Sequence, residues 1–169
     1  IASIAKKALK IQRRNAGLMK TKKAYVKYEP LGVAGVIAPW NYPLATPLTS
    51  SSEALIAGNN VILKPSEHTP LTSKLLKKIW DNTIEYRSAF QVVIGGADVG
   101  ESIVKNSDID IVCFTGSTFV GRIIAKQCAE TLKPCILELG GKDPMIVLND
   151  ANIHRAVESA IFGGMSNAG

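Results

Sequence analysis

The stretch DIVCFTGSTFVGR, Asp110 to Arg122, changes its period halfway. Asp110–Phe114 is a short run of apolar and β-branched residues, the pattern of a strand covered on both faces. From Thr118 onward, Val120, Ile123, Ile124 and Cys128 recur at helical spacing. Between the two lie Gly116 and Ser117, so the stretch reads as strand, tight turn and helix N-terminus in immediate succession.

The same unit recurs along the chain. Val33–Ala38, Asn60–Leu63, Gln91–Ile94, Pro134–Leu137 and Met145–Leu148 are further strand-like runs. Thr69 followed by Pro70 signals a helix start, with Leu71, Leu75, Leu76, Ile79 and Trp80 then expected along one face. Asp98 with Glu101 three residues on is a capping-box analogue. Asp150 precedes a helical spacing of Ile153, Ala156, Val157, Ala160 and Ile161. Apolar strands alternating with helices predict an α/β fold, a Rossmann-like parallel sheet with helices on both faces. In that class ligands bind at the carboxyl ends of the strands, so the strand-to-helix turns are the places to look.

Composition narrows the functions available. The 169 residues are 46% hydrophobic and 20% charged, enough for one sizeable core, and one domain is the default. The formal net charge is +6, yet eight of the cations (Lys6, Lys7, Lys10, Arg13, Arg14, Lys20, Lys22 and Lys23) fall in the first 23 residues, which hold no acid. From Ala24 onward 12 basic and 14 acidic residues remain, so no basic footprint for nucleic acid is present there. Ile1, Ile4, Ala5, Ala8 and Leu9 are helically spaced opposite those cations, a pattern that also suits a membrane surface or a transit peptide. An ordinary amphipathic helix over about residues 1–23 with a solvated face is the reading adopted, followed by an arm strand over about 24–31 outside the main sheet. No apolar run reaches the roughly 20 residues of a membrane span. Three cysteines, an odd number, suggest a reducing compartment, the cytoplasm, without a disulfide framework. Two histidines and no paired cysteine spacing leave no metal site in prospect.

Three turns can hold a nucleotide. VVIGGADVGE nearly matches G-x-G-x-x-G, with Ala97 where glycine is wanted. FTGSTFVGR spaces Gly116 and Gly121 as a P-loop does, but Arg122 and Ile123 follow where Lys and Ser or Thr would grip terminal phosphates and magnesium. What remains suits a diphosphate without a metal. Tight helix-on-sheet packing is the bland alternative for either turn. In LKPSEHTP, Lys64 and Glu67 flank a bend set by Pro65; a carboxylate there can accept from both ribose hydroxyls and repels a 2′-phosphate, favouring NAD over NADP. A surface ion pair between Lys64 and Glu67 is the structural alternative.

Taken in order with PWNYP and ELGGK, these turns resemble the aldehyde dehydrogenase superfamily from about Tyr28 to the last residue. The resemblance implies that Asn41 points its amide at the substrate oxygen and that Glu138 is the general base. It implies Lys64 and Glu67 at the adenosine ribose, Gly116 and Ser117 at the pyrophosphate, and Gly96 and Gly100 on the adenine side. Pro39 and Trp40 would border the cofactor cleft, Leu139 and Gly140 would lie beside the nicotinamide, and Ser66, Phe114 and Val120 complete the set. The chemistry implied is thiolate attack on an aldehyde, hydride transfer to NAD and hydrolysis of the thioester by water that Glu138 activates. A small-molecule aldehyde and homo-oligomerisation of the complete protein are implied as well.

The family's nucleophilic cysteine would lie a few residues past FGGMSNAG, where the sequence given stops. Cys113, Cys128 and Cys135 read as inert core thiols, and Cys135 and Glu138, three apart on a strand, point to opposite faces. Two expectations follow. In one, the chain is the cofactor-binding part of an aldehyde dehydrogenase without its catalytic domain, not beginning where its gene begins and inactive alone. In the other, it is a catalytically inert nucleotide-binding fragment, or a split-gene product that needs a partner chain.

Overall fold

Among the described residues, seven short strands and six α-helices form because apolar runs with period two or none alternate with helical spacings and glycine or proline punctuation. The structure, a computed structural model, describes residues 2–166 and divides into two units, Ile1–Leu139 and Gly140–Gly169. In the first unit the order is α1 (Ala2–Ala8), β1 (Gln12–Arg14), β2 (Ala24–Val26), β3 (Val33–Ile37), α2 (Ala45–Ile56), β4 (Asn60–Lys64) and α3 (Pro70–Thr83). It continues with β5 (Phe90–Val92), α4 (Ala97–Lys105), β6 (Ile111–Gly116), α5 (Thr118–Glu130) and β7 (Cys135–Leu139). The second unit contains α6 (Ile153–Met165).

Five strands pair in parallel in the order β5-β4-β3-β6-β7. The chain therefore runs outward from β3 to β5, then returns to the other side of β3, which places the switch point between β3 and β6. Helices cover both faces, the α/β arrangement read from the alternating pattern. On one face Ile37, Val112 and Phe114 pack under Ile103 and Val104 of α4 and Ile124 and Cys128 of α5. On the other, Ala34, Val36, Val61 and Leu63 pack under Ala54 and Leu55 of α2 and Leu76 and Trp80 of α3. A fully buried Leu63 or Val112 contributes about 1.5–3 kcal/mol by leaving water, so these two clusters fix the sheet.

Several sequence expectations are corrected. Met145–Leu148 is not a strand: residues 140–148 have no regular secondary structure, because their unit offers no partner ladder. The N-terminal helix ends at Ala8, and Gln12–Arg14 instead pairs antiparallel with Ala24–Val26, apart from the main sheet. Gly17, at φ 61, and the Asn15 side chain, which accepts from its N–H, shape the intervening turn. Ile1, expected on the helix's apolar face, lies outside the described residues.

On α3, Ser73, Leu76 and Trp80 face inward while Leu71, Leu75 and Ile79 are exposed, since the helix lies over the edge of the sheet at β5, a strand of three residues. On α5 the buried strip is Gly121, Ile124 and Cys128; Val120 and Ile123 are exposed. The cause is Gly121, where an added Cβ would sit 2.4 Å from Leu139 Cδ2: the bare backbone lets the helix drop onto β7 and turns its buried strip. Asp98 lies in the first turn of α4 and is not its cap, because the helix already starts after Gly96; Glu101 pairs with Lys105 at 2.6 Å instead. In the second unit α6 is capped by Asn152, whose side chain accepts from Arg155 N–H at 3.1 Å. Among the described residues no helix is long and apolar enough to cross a membrane.

Candidate active site

Every candidate residue of the first unit falls at the carboxyl edge of the parallel sheet or within the first turn of the helix that follows. β3 ends at Ile37 and leads into Pro39, Trp40 and Asn41; β4 ends at Lys64, β5 leads to Gly96, β6 ends at Gly116 and β7 at Leu139. Pairing register arranges the edge in rows. Lys64, Ile37, Phe114 and Leu137 stand side by side, and their shared face is that of α4 and α5. One residue further, Thr115 pairs with Glu138, and period-two alternation turns both to the opposite face, toward α2. The candidate base and the candidate nucleotide contacts are thus on opposite faces of one edge, in rows offset by one residue along the strands, with Glu138 on β7 three strand spacings of about 4.8 Å from Lys64 on β4.

The α4 and α5 face is tightly built. Lys64 is 5% exposed; its ammonium donates to the Pro65 carbonyl at 3.1 Å and reaches Glu67 Oε2 at 3.4 Å. This is no surface ion pair, since one partner is buried and only Glu67 is exposed. Glu67 is held below the ordinary carboxylate range, first by its own backbone N–H, which burial opposes, and further by the Lys64 ammonium. Ser66 is buried, and its hydroxyl accepts from His68 N–H at 3.3 Å, which shapes the bend after Pro65. Gly100 is buried against the Lys64 methylenes and Ile37, at ordinary contact distance.

Two helix N-termini open on the same edge. Gly96 is the N-cap of α4, and first-turn amides of a helix lack intrahelical partners. Ser117 is the N-cap of α5, accepting from Val120 N–H at 3.2 Å, so part of its hydroxyl capacity serves the helix. Phe114 is buried with its ring over Gly116, where a Cβ would meet the ring at 2.5 Å. Val120 and Leu139 are exposed beside this turn, Trp40 is exposed and Pro39 half-buried. Buried cation, carboxylate, two amide-rich turns and bare backbone at Gly116 form a donor set that fits a dinucleotide.

The α2 face is open. Among the described residues no helix of the first unit covers β6 and β7 there, leaving a cleft of about 670 Å³ lined by Thr46, Thr49 and Glu53 of α2, Cys113 and Thr115 of β6, and Ile136 and Glu138 of β7. Glu138 is exposed in it, unlike the buried strand-end acid that its apolar neighbours suggest. Asn41 is exposed on the loop between β3 and α2. Sequence reading missed Cys113, Thr115 and Glu53 as cleft residues. The first two were available from period-two alternation counted back from Glu138's partner strand, but Glu53 required knowing how α2 lies on the sheet. Cys113 is a poor nucleophile there, because burial and then Glu53 push its thiol above the ordinary range. Cys135 packs on the far face, as its spacing from Glu138 predicts. Gly140 belongs to the second unit, where it is exposed and outside regular secondary structure.

The family model described as the aldehyde dehydrogenase family matches residues 1–169. The chain belongs to the aldehyde dehydrogenase family. A benzaldehyde dehydrogenase [NAD(+)] of Pseudomonas putida is 47% identical over 141 residues, 83% of this chain and 29% of that enzyme. A solved Mycobacterium tuberculosis aldehyde dehydrogenase complexed with NAD+ is 38% identical with a TM-score of 0.92, covering 99% of this chain and 34% of that one. A solved E. coli NADP dependent enzyme is 36% identical with a TM-score of 0.90, covering 98% and 34%. The chain therefore spans about a third of the length of the relatives it matches. Its parallel α/β sheet matches the fold of the tuberculosis enzyme over that third.

Proposed function

We propose that the complete protein oxidises an aldehyde to a carboxylic acid with NAD as hydride acceptor, and that these residues supply the cofactor-binding part, the general base and the oxyanion donor. The single observation that carries this is the edge geometry: Glu138 on one face and the Lys64 row on the other, both at the carboxyl edge of one parallel sheet. The benzaldehyde dehydrogenase and the tuberculosis enzyme named with NAD support the cofactor.

When bound, NAD accepts the hydride. This chain's residues do the rest by position. Lys64 and Glu67 hold the adenosine ribose; an ionised Glu67 disfavours a 2′-phosphate, so NAD binds better than NADP. The amides at Gly96 and the turn of Gly116 and Ser117 bind the diphosphate at helix N-termini. Asn41 donates from its side-chain amide to the substrate oxygen as negative charge develops, a contact worth roughly 10²–10³ in rate. Glu138 takes a proton from the water that hydrolyses the acyl group. The attacking thiolate comes from outside these residues, since Cys113 alone shares the Glu138 cleft and its thiol stays protonated at neutral pH. Three unpaired thiols accord with a reducing, cytoplasmic setting. The hairpin of β1 and β2, apart from the main sheet, accords with a homo-oligomer in which it serves as an arm.

The test is aldehyde-dependent NADH formation by the full-length protein across aliphatic, aromatic and semialdehyde substrates. Turnover is expected with the full length and none with the 169 residues alone. A full-length protein that binds NAD and oxidises none of them would leave the second reading, a nucleotide-binding module. Activity that appears only when a separate chain is added would identify a split enzyme.

A further inference from the structure

The two helices that open on the candidate nucleotide edge are tied to each other at the far, amino edge of the sheet. α4 runs from its N-cap Gly96 to Lys105, nine residues or about 13 Å. The last carbonyls of a helix lack intrahelical partners. Here Asn106 N–H closes on the Ser102 carbonyl, and a cation from outside the helix takes two more: Lys133 Nζ donates to the carbonyls of Val104 at 2.7 Å and Asn106 at 2.6 Å. An ammonium at this end also meets the negative pole of the helix dipole.

Lys133 reaches α4 from a fixed base. It stands in the connection between α5 and β7, where its own N–H and that of Thr131 donate to the Cys128 carbonyl, at 2.9 and 3.2 Å, and Leu132 takes φ 54. The next residue, Pro134, accepts from Val112 N–H of β6 at 3.1 Å. Midway along the helices, Gln127 of α5 donates to Glu101 of α4 at 3.2 Å. Ile103 and Val104 hold α4 to the sheet by apolar burial, which is non-directional and fixes the axial position of a helix only loosely. The directed bonds at its foot fix it. That axial position in turn places two groups at the other end: the first-turn amides after Gly96, and Gly100, where an added Cβ would already touch Lys64 Cδ at 3.7 Å.

We infer that, on the reading in which the α4 and α5 face holds the dinucleotide, Lys133 is a positioning residue for that dinucleotide, acting through α4 from the opposite edge of the sheet. Without its ammonium the Val104 and Asn106 carbonyls turn to water and α4 loses its foot. The Gly96 amides and the Lys64 wall then no longer keep one geometry with Ser117 at the head of α5. The loss falls on cofactor binding and spares the Glu138 cleft, which lies on the other face.

Calorimetric titration of NAD into the full-length protein tests this in the wild type, Lys133→Met, Lys133→Arg, Val61→Ala and Lys64→Met, each at a temperature where thermal unfolding shows it folded. Lys133→Met keeps the stem and removes the donor, and NAD should weaken by about two- to thirtyfold, the range for substitutions that act at a distance. Lys133→Arg retains charge and donors and should recover affinity to within about twofold of wild type. Val61→Ala, buried on the other face, loses stability too but should bind NAD as wild type does. Equal weakening in Val61→Ala, or no recovery in Lys133→Arg, would overturn the inference. NAD binding unchanged in Lys64→Met would remove the nucleotide reading of this face and the inference with it. Weakening in Lys64→Met without weakening in Lys133→Met would leave the face standing and reduce Lys133 to a helix cap. Should Lys133→Met not fold, Lys133→Gln, which removes the charge, takes its place with the same expectation.

Discussion

On the α4 and α5 face, the edge row of Lys64, Ile37 and Phe114 is packed from above and pinned by hydrogen bonds, whereas on the α2 face the equivalent row ends at Glu138 in an open cleft. The first face is complete within one unit, because α4 and α5, the helices that follow β5 and β6, lie over it. The second is not, because α2 covers β3 and β4 and nothing in the unit follows β7 to cover its end. The difference separates two requirements. On the proposed function, nucleotide binding would use rigid turns that local sequence can build, while chemistry at Glu138 would need the open face to be closed.

The largest effect that sharpens this comparison is at Glu138. In the complete enzyme Glu138→Gln should leave one burst of hydride transfer and slow acid release by about 10²–10⁴, a typical contribution of acid–base catalysis. Rapid-mixing NADH measurements show it, and normal steady turnover would remove Glu138 from the base role. Next come paired truncations of the two faces. Ile124→Ala, under α5, should destabilise by about 2–5 kcal/mol, whereas Ile136→Ala, 53% exposed on the open face, should cost under about 0.5 kcal/mol in the isolated unit. Equal losses in denaturant unfolding would mean that the open face is covered in solution.

A smaller effect is expected at the cap. Ser117→Ala removes the acceptor for Val120 N–H and should cost about 0.5–2 kcal/mol in thermal unfolding. The smallest concerns pH. Glu67 is depressed when folded, so its contribution is fully present above the ordinary carboxylate range and disappears as pH falls through the lowered value. For so exposed a carboxylate this is worth about 0.2–1 kcal/mol, and Glu67→Gln should flatten that limb of the acid-unfolding curve. An unchanged acid limb in the variant would mean that Glu67 is not depressed.

Much of this architecture was legible because each strand and turn declares itself locally. The parallel sheet followed from apolar runs at Val33, Asn60, Gln91, Asp110 and Pro134, and the edge turns from glycine and proline positions. What failed depended on neighbours that local pattern does not contain. Met145–Leu148 has strand composition but no ladder to join. Leu71, Leu75 and Ile79 have helical spacing, yet α3 lies over a three-residue edge strand too narrow to cover them. At the site, the opposite orientation of Cys135 and Glu138 came from period two alone, while the burial of Lys64 and the place of Glu53 in the cleft came only with the packing.

The separation of the two faces is tested most directly by calorimetric titration of NAD into the wild-type protein, Lys64→Met and Glu138→Gln side by side. Loss of a buried charged hydrogen-bond donor should weaken NAD by about tenfold or more in Lys64→Met, while Glu138→Gln, on the other face, should stay within about twofold of wild type. Equal weakening in both variants, or loss only in Glu138→Gln, would contradict the account.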